Sequence, residues 1–450
     1  MLDKLKTAPA LLSLSIITIF LALLWLFAAW PVLLKLLFSL ALYILALSFF
    51  APRAGFFLFI FLRPILDFST SYKLINFSSW SLNLASLYSL IFIIFALYLY
   101  LGGHFSFSKL GGKKVLFFWS AFIFWSLASL LWSFAPSSSL VELARLASFL
   151  AAFILGLGLI RNNQDLTDLI KVIIFSAFIP VAVALWQLAS YSGLIEGNQN
   201  RLFGTFAHPN MLAFFLTLII TLAVFIGLNL KKDRVEMYWY WLLALIFTIT
   251  LFFTYTRGAY LVLLAIVFIV GALKFRKFLF VALAFIFLLY LSSNTISGRF
   301  NSIFQSDPYG SISWRISLWR DELSYIKREP LLGYGSGLAS TVIAQNRDWR
   351  LGSNEPHNDF LRVAIDSGLI GLSLYLLLII SLLWQLKDNY FRTSAPRLKM
   401  INLFVLALGL ALYALSFGDN ILNDSALQWS WWALLGGLIA VQAKKADQAA

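Results

Sequence analysis

The chain has 450 residues, 61% of them hydrophobic and only 12% charged, with a mean hydropathy of +0.86. A charged share about half that of a soluble domain excludes a water-soluble globular fold and predicts an all-α polytopic membrane protein. The absence of cysteine excludes disulfides, thiolate nucleophiles and cysteine metal sites, and the net charge of +14 has to be set against the tendency of Lys and Arg to collect in cytoplasmic loops before any nucleic-acid partner is considered.

Spanning a bilayer takes about 20 apolar residues in helical form. The opening "MLDKLKTAPALLSLSIITIFLALLWLF" has the basic flank of a signal peptide, but its apolar stretch is too long for one and a second follows directly, so it reads as a retained first helix. Spans are expected near 9–30, 32–50, 83–101, 115–134, 138–160, 167–190, 210–229, 237–255, 258–273, 278–293, 358–386, 400–417 and 426–442. The segment "AGFFLFIFLRPILDF" at 54–68 is short and carries Arg63, Pro64 and Asp67, so it is either a broken span or a re-entrant piece. The expectation is about 12–14 transmembrane helices in a single membrane domain, 1–450.

Counting 54–68 as a crossing puts both termini on one side, and the basic clusters then sort. Lys4 and Lys6, Arg53, Lys109 with Lys113 and Lys114, Arg161, Lys231 with Lys232 and Arg234, Lys274 to Lys277, Lys387 to Lys399, and Lys444 with Lys445 share that side. The positive-inside rule makes it the cytoplasm, so much of the positive charge is topological and calls for no nucleic acid.

One external loop is long, 294–357. Within it "ISWRISLWRDELSYIKRE" spaces Trp314, Leu318, Trp319, Leu323 and Ile326 as on a helix, predicting an amphipathic helix along the outer membrane surface. "GYGSG" at 333–337 predicts a flexible turn before the chain re-enters the bilayer.

External arginines run against the positive-inside rule, so each needs its own account. Arg257, in "TYTRGAY", sits in a tight turn between two spans; it either snorkels to headgroups or offers its planar fork of donors to phosphate. Arg201 precedes "LFGTFAHPNML", where Pro209 starts a helix whose free amides form an anion site; His208 belongs to that turn. Arg315 and Arg320 share one helix at different angles, so both are not expected on one ligand, and Arg299 is less constrained. His357, followed by Asn358 and Asp359, opens a span, where an imidazole is either a cap neighbour or a base for a sugar hydroxyl at neutral pH. External acids are scattered, with "RDE" at 320–322 and the pair Asp419 and Asp424 as the nearest things to a cluster, so no metal site is expected and arginines would have to neutralise a leaving group.

The order "RLFGTFAHPNMLAF", "TYTRGAY", "WRISLWRDEL", "REPLLGYGSG" and "PHNDFLRVAIDSGLIGLSLY" resembles the O-antigen ligase and O-antigen polymerase superfamily of integral membrane glycosyltransferases, over roughly 195–385. The resemblance implies a GT-C-like helical fold and a polyprenyl-diphosphate-linked glycan as donor, used at the external face of a bacterial inner membrane without cofactor. It implies that His357 is the base and that Arg257 and Arg201 bind diphosphate. Arg315 matches the Arg-x-x-x-Trp pattern with Trp319, while His208, Asn358, Arg320 and Arg299 are supporting candidates. The implied partners are the lipid-linked donor, a glycan or glycolipid acceptor and the bilayer, with polymerase favoured over ligation to lipid A core and over protein glycosylation. A lipid-linked sugar transporter is the competing class. Such a protein places ionisable residues near mid-bilayer, and Lys35, Arg145, Lys171 and Asp366 are its candidates.

Overall fold

The computed structural model describes residues 35, 39, 51–71, 73–76, 81–105, 111–196, 199–230, 234–292, 297–298, 301, 311–347 and 354–449. The spans expected near 9–30 and 32–50 therefore lie outside the described residues, apart from Lys35 and Ser39, which are helical. The rest is an all-α polytopic membrane protein. Its helices are α1 Pro52–Leu62, α2 Leu84–Leu101, α3 Lys113–Ala128, α4 Pro136–Leu159, α5 Asn163–Phe175, α6 Phe178–Ser190, α7 Pro209–Asn229 and α8 Arg234–Phe252. They continue with α9 Arg257–Leu273, α10 Arg276–Ser292, α11 Ser311–Arg328, α12 Ala339–Asn346, α13 Asp359–Arg392, α14 Pro396–Leu415 and α15 Ser425–Ala449. Among the described residues, 8 helical segments are long and apolar enough to cross a membrane, α5 and α6 counting as one.

The segment at 54–68 is broken. α1 stops at Arg63, next to a proline that has no amide to continue the ladder, and a 3-10 turn, Leu66–Ser71, follows. The break does not turn the chain back: Arg53, in the first turn of α1, pairs with Asp165 at the start of α5, whereas Pro64 O accepts from Thr205 Oγ1 at 2.8 Å, beyond the far end of α6.

The bundle is built around α15, whose residues 426–441 are buried throughout. It packs on α4 through glycine. A Cβ on Gly156 would lie 2.4 Å from the Ala433 carbonyl oxygen, and one on Gly436 would lie 2.2 Å from that of Phe153. Small residues let two membrane helices approach backbone to backbone, which gains dispersion contacts where no hydrophobic effect operates. Trp429 fills the space beside that crossing, stacked 4.0 Å from Phe92.

α13 is not one straight helix. Gly368 has φ 64 and ψ −172 inside it, and the carbonyls this break releases find external partners. Tyr334 N donates to Ile365 O at 2.9 Å, Gly335 N to Asp366 O at 2.9 Å and Trp125 Nε1 to Ser367 O at 2.9 Å. The "GYGSG" stretch is thus docked against a broken helix, which corrects the expected flexible turn. Its glycines are required because Gly333, Gly335 and Gly337 all have positive φ, and a Cβ on Gly333 would meet Gly368 N at 2.5 Å.

α11 also differs from expectation. Leu318, Glu322 and Tyr325 form its buried side, packed with Leu338, Val342, Ile343 and Ile365, while Leu323 is exposed. That side of the helix is covered by protein.

Candidate active site

Six segments meet at one end of the bundle around a cavity of about 450 Å³. They are the hairpin of β1 (Leu194–Glu196) and β2 (Gln199–Arg201), the start of α7, the turn between α8 and α9, α11, the residues before α13, and the connection from α14 to α15. Arg201, His208, Arg257, Arg315 and His357 all line it, joined by Glu196, Asn210 and Asp419. Three guanidiniums against two carboxylates leave the cavity positive.

His357 is held from several directions. Asn358 caps α13 by accepting from Phe360 N at 3.0 Å and Leu361 N at 3.1 Å, and Asp359 N donates to Ser416 O at 2.9 Å. Trp319 Nε1 donates to the Pro356 carbonyl at 3.2 Å, and Trp314 meets the imidazole edge to face at 5.5 Å. The backbone of His357 has φ 50, a left-handed conformation that costs a non-glycine residue of order 1 kcal/mol and is sustained where the surroundings over-determine it.

Asp419 organises the opposite wall. Its Oδ1 lies 3.6 Å from His357 Nδ1 and its Oδ2 3.6 Å from the Arg315 guanidinium, ion-pair distances longer than a hydrogen bond. Asn210 Nδ2 donates to it at 3.0 Å and Asn420 N at 2.9 Å. Burial alone would raise this carboxyl, but His357 and Arg315 outweigh it and hold the pKa below 3.8. A fixed carboxylate beside Nδ1 favours the tautomer with a proton there, leaving Nε2 with the lone pair.

Arg201 is more committed than its loop position predicts. It is 8% exposed and donates to Thr254 O at 2.9 Å, Glu196 Oε2 at 2.5 Å and Asn210 Oδ1 at 2.9 Å. It ties the hairpin to the α8–α9 turn while facing the cavity. Arg257 is the first residue of α9, so guanidinium and helix N-terminus act at one place. His208 caps α7, its Nδ1 accepting from Asn210 N at 3.1 Å; burial first, then Arg201, pull its pKa below 6.5.

Two supporting candidates stand apart. Arg320 is exposed on α11 and is not among the cavity's lining, because five residues of helix turn it about 140° from Arg315. Asn358 acts through its cap. Arg299 lies outside the described residues. The acids weighed as metal ligands are separated in use: Asp321 pairs with Arg347 at 3.0 Å, Glu322 is on the buried side of α11, and Asp424 caps α15 by accepting from Leu427 N. Among the described residues no three His, Asp or Glu side chains converge as a metal site.

Three of the four charges weighed for transport have partners within the bundle. Arg145 binds Glu142 at 2.5 Å, Lys171 binds Glu236 at 2.7 Å, and Asp366 accepts from Ala339 N at 2.6 Å with Arg362 3.7 Å away.

Asp419 is the neighbour of His357 to which sequence reading gave no role. It stood out only as one of two acids in "FGDNILND", and nothing local indicates that α14 returns it to His357. Asn210, one residue after Pro209, is equally silent in sequence. No curated protein matches the chain. Residues 242–376, which run from α8 to the second half of α13 and include Arg257, Arg315 and His357, match the Wzy_C family model, described as O-antigen ligase. That segment is similar to the O-antigen ligase family, which supports a glycosyltransferase-type enzyme of the O-antigen ligase and polymerase kind.

Proposed function

We propose that the protein is an inverting glycosyltransferase that moves a glycan from a polyprenyl diphosphate to an acceptor hydroxyl in surface-polysaccharide assembly. The observation that carries this reading is the convergence of His357, backed by Asp419, with Arg201, Arg257 and Arg315 on one cavity at a single end of the bundle.

In this reading the guanidiniums of Arg257 and Arg315 hold the donor diphosphate, and Arg201 adds positive potential from behind. Nε2 of His357 takes the proton of the acceptor hydroxyl as its oxygen bonds to the anomeric carbon. The bond from that carbon to the phosphate oxygen breaks, and lipid diphosphate leaves. One displacement from the face opposite the leaving group inverts the anomeric centre. Asp419 stabilises the imidazolium that forms, and the 3.6 Å gap closes as it does, since such bonds are often long before substrate binds. The charge of the leaving group is met by arginine, so the reaction is written without metal or nucleotide sugar. The acceptor is the next lipid-linked repeat unit, as in a polymerase. The cavity opens at the external face of a bacterial inner membrane, with both termini in the cytoplasm, in keeping with the sorting of Lys and Arg.

The test is glycan transfer by purified protein in nanodiscs with a polyprenyl-diphosphate oligosaccharide and excess chelator, offered either more of the same lipid or lipid A core. A ladder of products identifies a polymerase, and a single shift of lipid A core identifies a ligase. No transfer to either, or full activity of His357→Ala, removes the catalytic reading and leaves transport as the alternative.

A further inference from the structure

A second cavity lies at the same end of the bundle, across the α14–α15 connection from the first. It measures about 340 Å³ and lies between α2, α4 and the start of α15. Its inner end carries two guanidiniums, Arg63 and Arg145. Its outer walls are Leu90, Leu140 and Val141, which are 38%, 55% and 43% exposed on the side of the bundle. The groove therefore runs from a pocket of two ion-paired guanidiniums to a lipid-facing apolar opening.

The guanidinium end is built rather than incidental. Arg63 is 4% exposed, its guanidinium lies 5.7 Å over the Trp429 ring, and one of its nitrogens donates to Asp67 at 3.0 Å. Its Nε has no hydrogen-bond partner within the protein, and a buried charged donor is stabilised by an acceptor. Arg145 is fixed by Glu142 at 2.5 Å and by Asn423 Oδ1 at 2.7 Å. Three helix N-termini open on the same space, through Ser86 in the first turn of α2, Ser137 in that of α4 and Ser425 at the start of α15. Helix N-termini favour anions, and guanidinium forks fit phosphate oxygens.

We propose that this groove is a second binding site, for the phosphate- or diphosphate-bearing headgroup of a lipid, with the lipid chains leaving between Leu90 and Val141 into the bilayer. The site is separate from the His357 cavity and does not depend on the reaction proposed there. Two sources carry this chemistry, a phospholipid of the surrounding bilayer and a polyprenyl diphosphate.

Native mass spectrometry of the full-length protein released from detergent tests it, with two matched pairs of probes: phosphatidic acid against diacylglycerol, and polyprenyl diphosphate against polyprenol. The phosphorylated member of at least one pair binds about tenfold tighter than its partner, and the pair that does so names the source. Val141→Trp fills the groove with the residues of both ion pairs left in place, and Arg63→Gln combined with Asp67→Asn removes the buried charges together. Each lowers phosphorylated-lipid binding about tenfold and leaves the uncharged lipid unchanged. Val141→Trp carries the test alone if the double variant does not fold. Equal binding of phosphorylated and unphosphorylated lipids overturns the proposal, as does phosphate-dependent binding that survives Val141→Trp but is lost in Arg257→Gln.

Discussion

Asp419 faces Nδ1 of His357 at 3.6 Å from the connection that follows α14, and the same carboxylate faces Arg315 at 3.6 Å on α11. One acid thus couples the proposed base to one of the arginines expected to hold the leaving group. Asp419→Asn keeps the shape and removes the charge. Transfer is expected to fall by about 10²-fold or more in kcat with the donor KM little changed, because an imidazolium formed in the reaction loses its counter-charge. An unchanged kcat in steady-state assays would remove Asp419 from the mechanism.

The depressed pKa of Asp419 sets a sign for stability. Its folded-state value lies below 3.8, so the ionised carboxylate stabilises the fold above that pH, and the contribution disappears as pH falls through the folded-state value. Wild type should unfold at a higher temperature than Asp419→Asn at pH 6, with the gap closing under strong acid.

Glu322 behaves in the opposite sense. Burial raises its pKa to about 9 against the opposing pull of Arg347. The carboxyl fits α11 as a neutral acid, so its contribution is complete below 4.5 and is lost as pH rises toward 9. Glu322→Gln should match wild type near pH 4 and be the more stable of the two at pH 8, read by thermal unfolding across pH. A parallel pair of curves would show that Glu322 is ionised in the fold.

His208 separates capping from chemistry. Asn is as good an N-cap, so His208→Asn should retain transfer activity, whereas His208→Ala loses about 1 kcal/mol of stability. Because burial lowers the His208 pKa below 6.5, its contribution is present above that pH and fades as pH falls, a dependence the Asn variant lacks. A large loss of kcat in His208→Asn would make it a participant.

Lysine substitutions distinguish the arginines. Arg257→Lys should raise the donor KM about tenfold through loss of the planar fork. Arg201→Lys should also lower the unfolding temperature, since it leaves the Thr254 carbonyl and Asn210 without the donors they now have. Equal unfolding temperatures for both variants would contradict the structural share assigned to Arg201.

The membrane class and the positions of the helices within the described residues were legible in the sequence, because a bilayer demands about 20 apolar residues per crossing and runs of that length stand out. Arg257, Arg201 and His357 were legible as exceptions, a charge or an imidazole at a span end being costly enough to notice. Only the tertiary structure decided what they meet. The break at Gly368, the docking of Gly333 against it and the placing of Asp419 beside His357 all rest on contacts between residues far apart in the chain. Helical periodicity reports which face of a segment is apolar and carries no information on which neighbour covers it. The spacing on α11 therefore marked a helix without naming its covered side, which is Leu318, Glu322 and Tyr325 against α12 and Ile365, with Leu323 exposed.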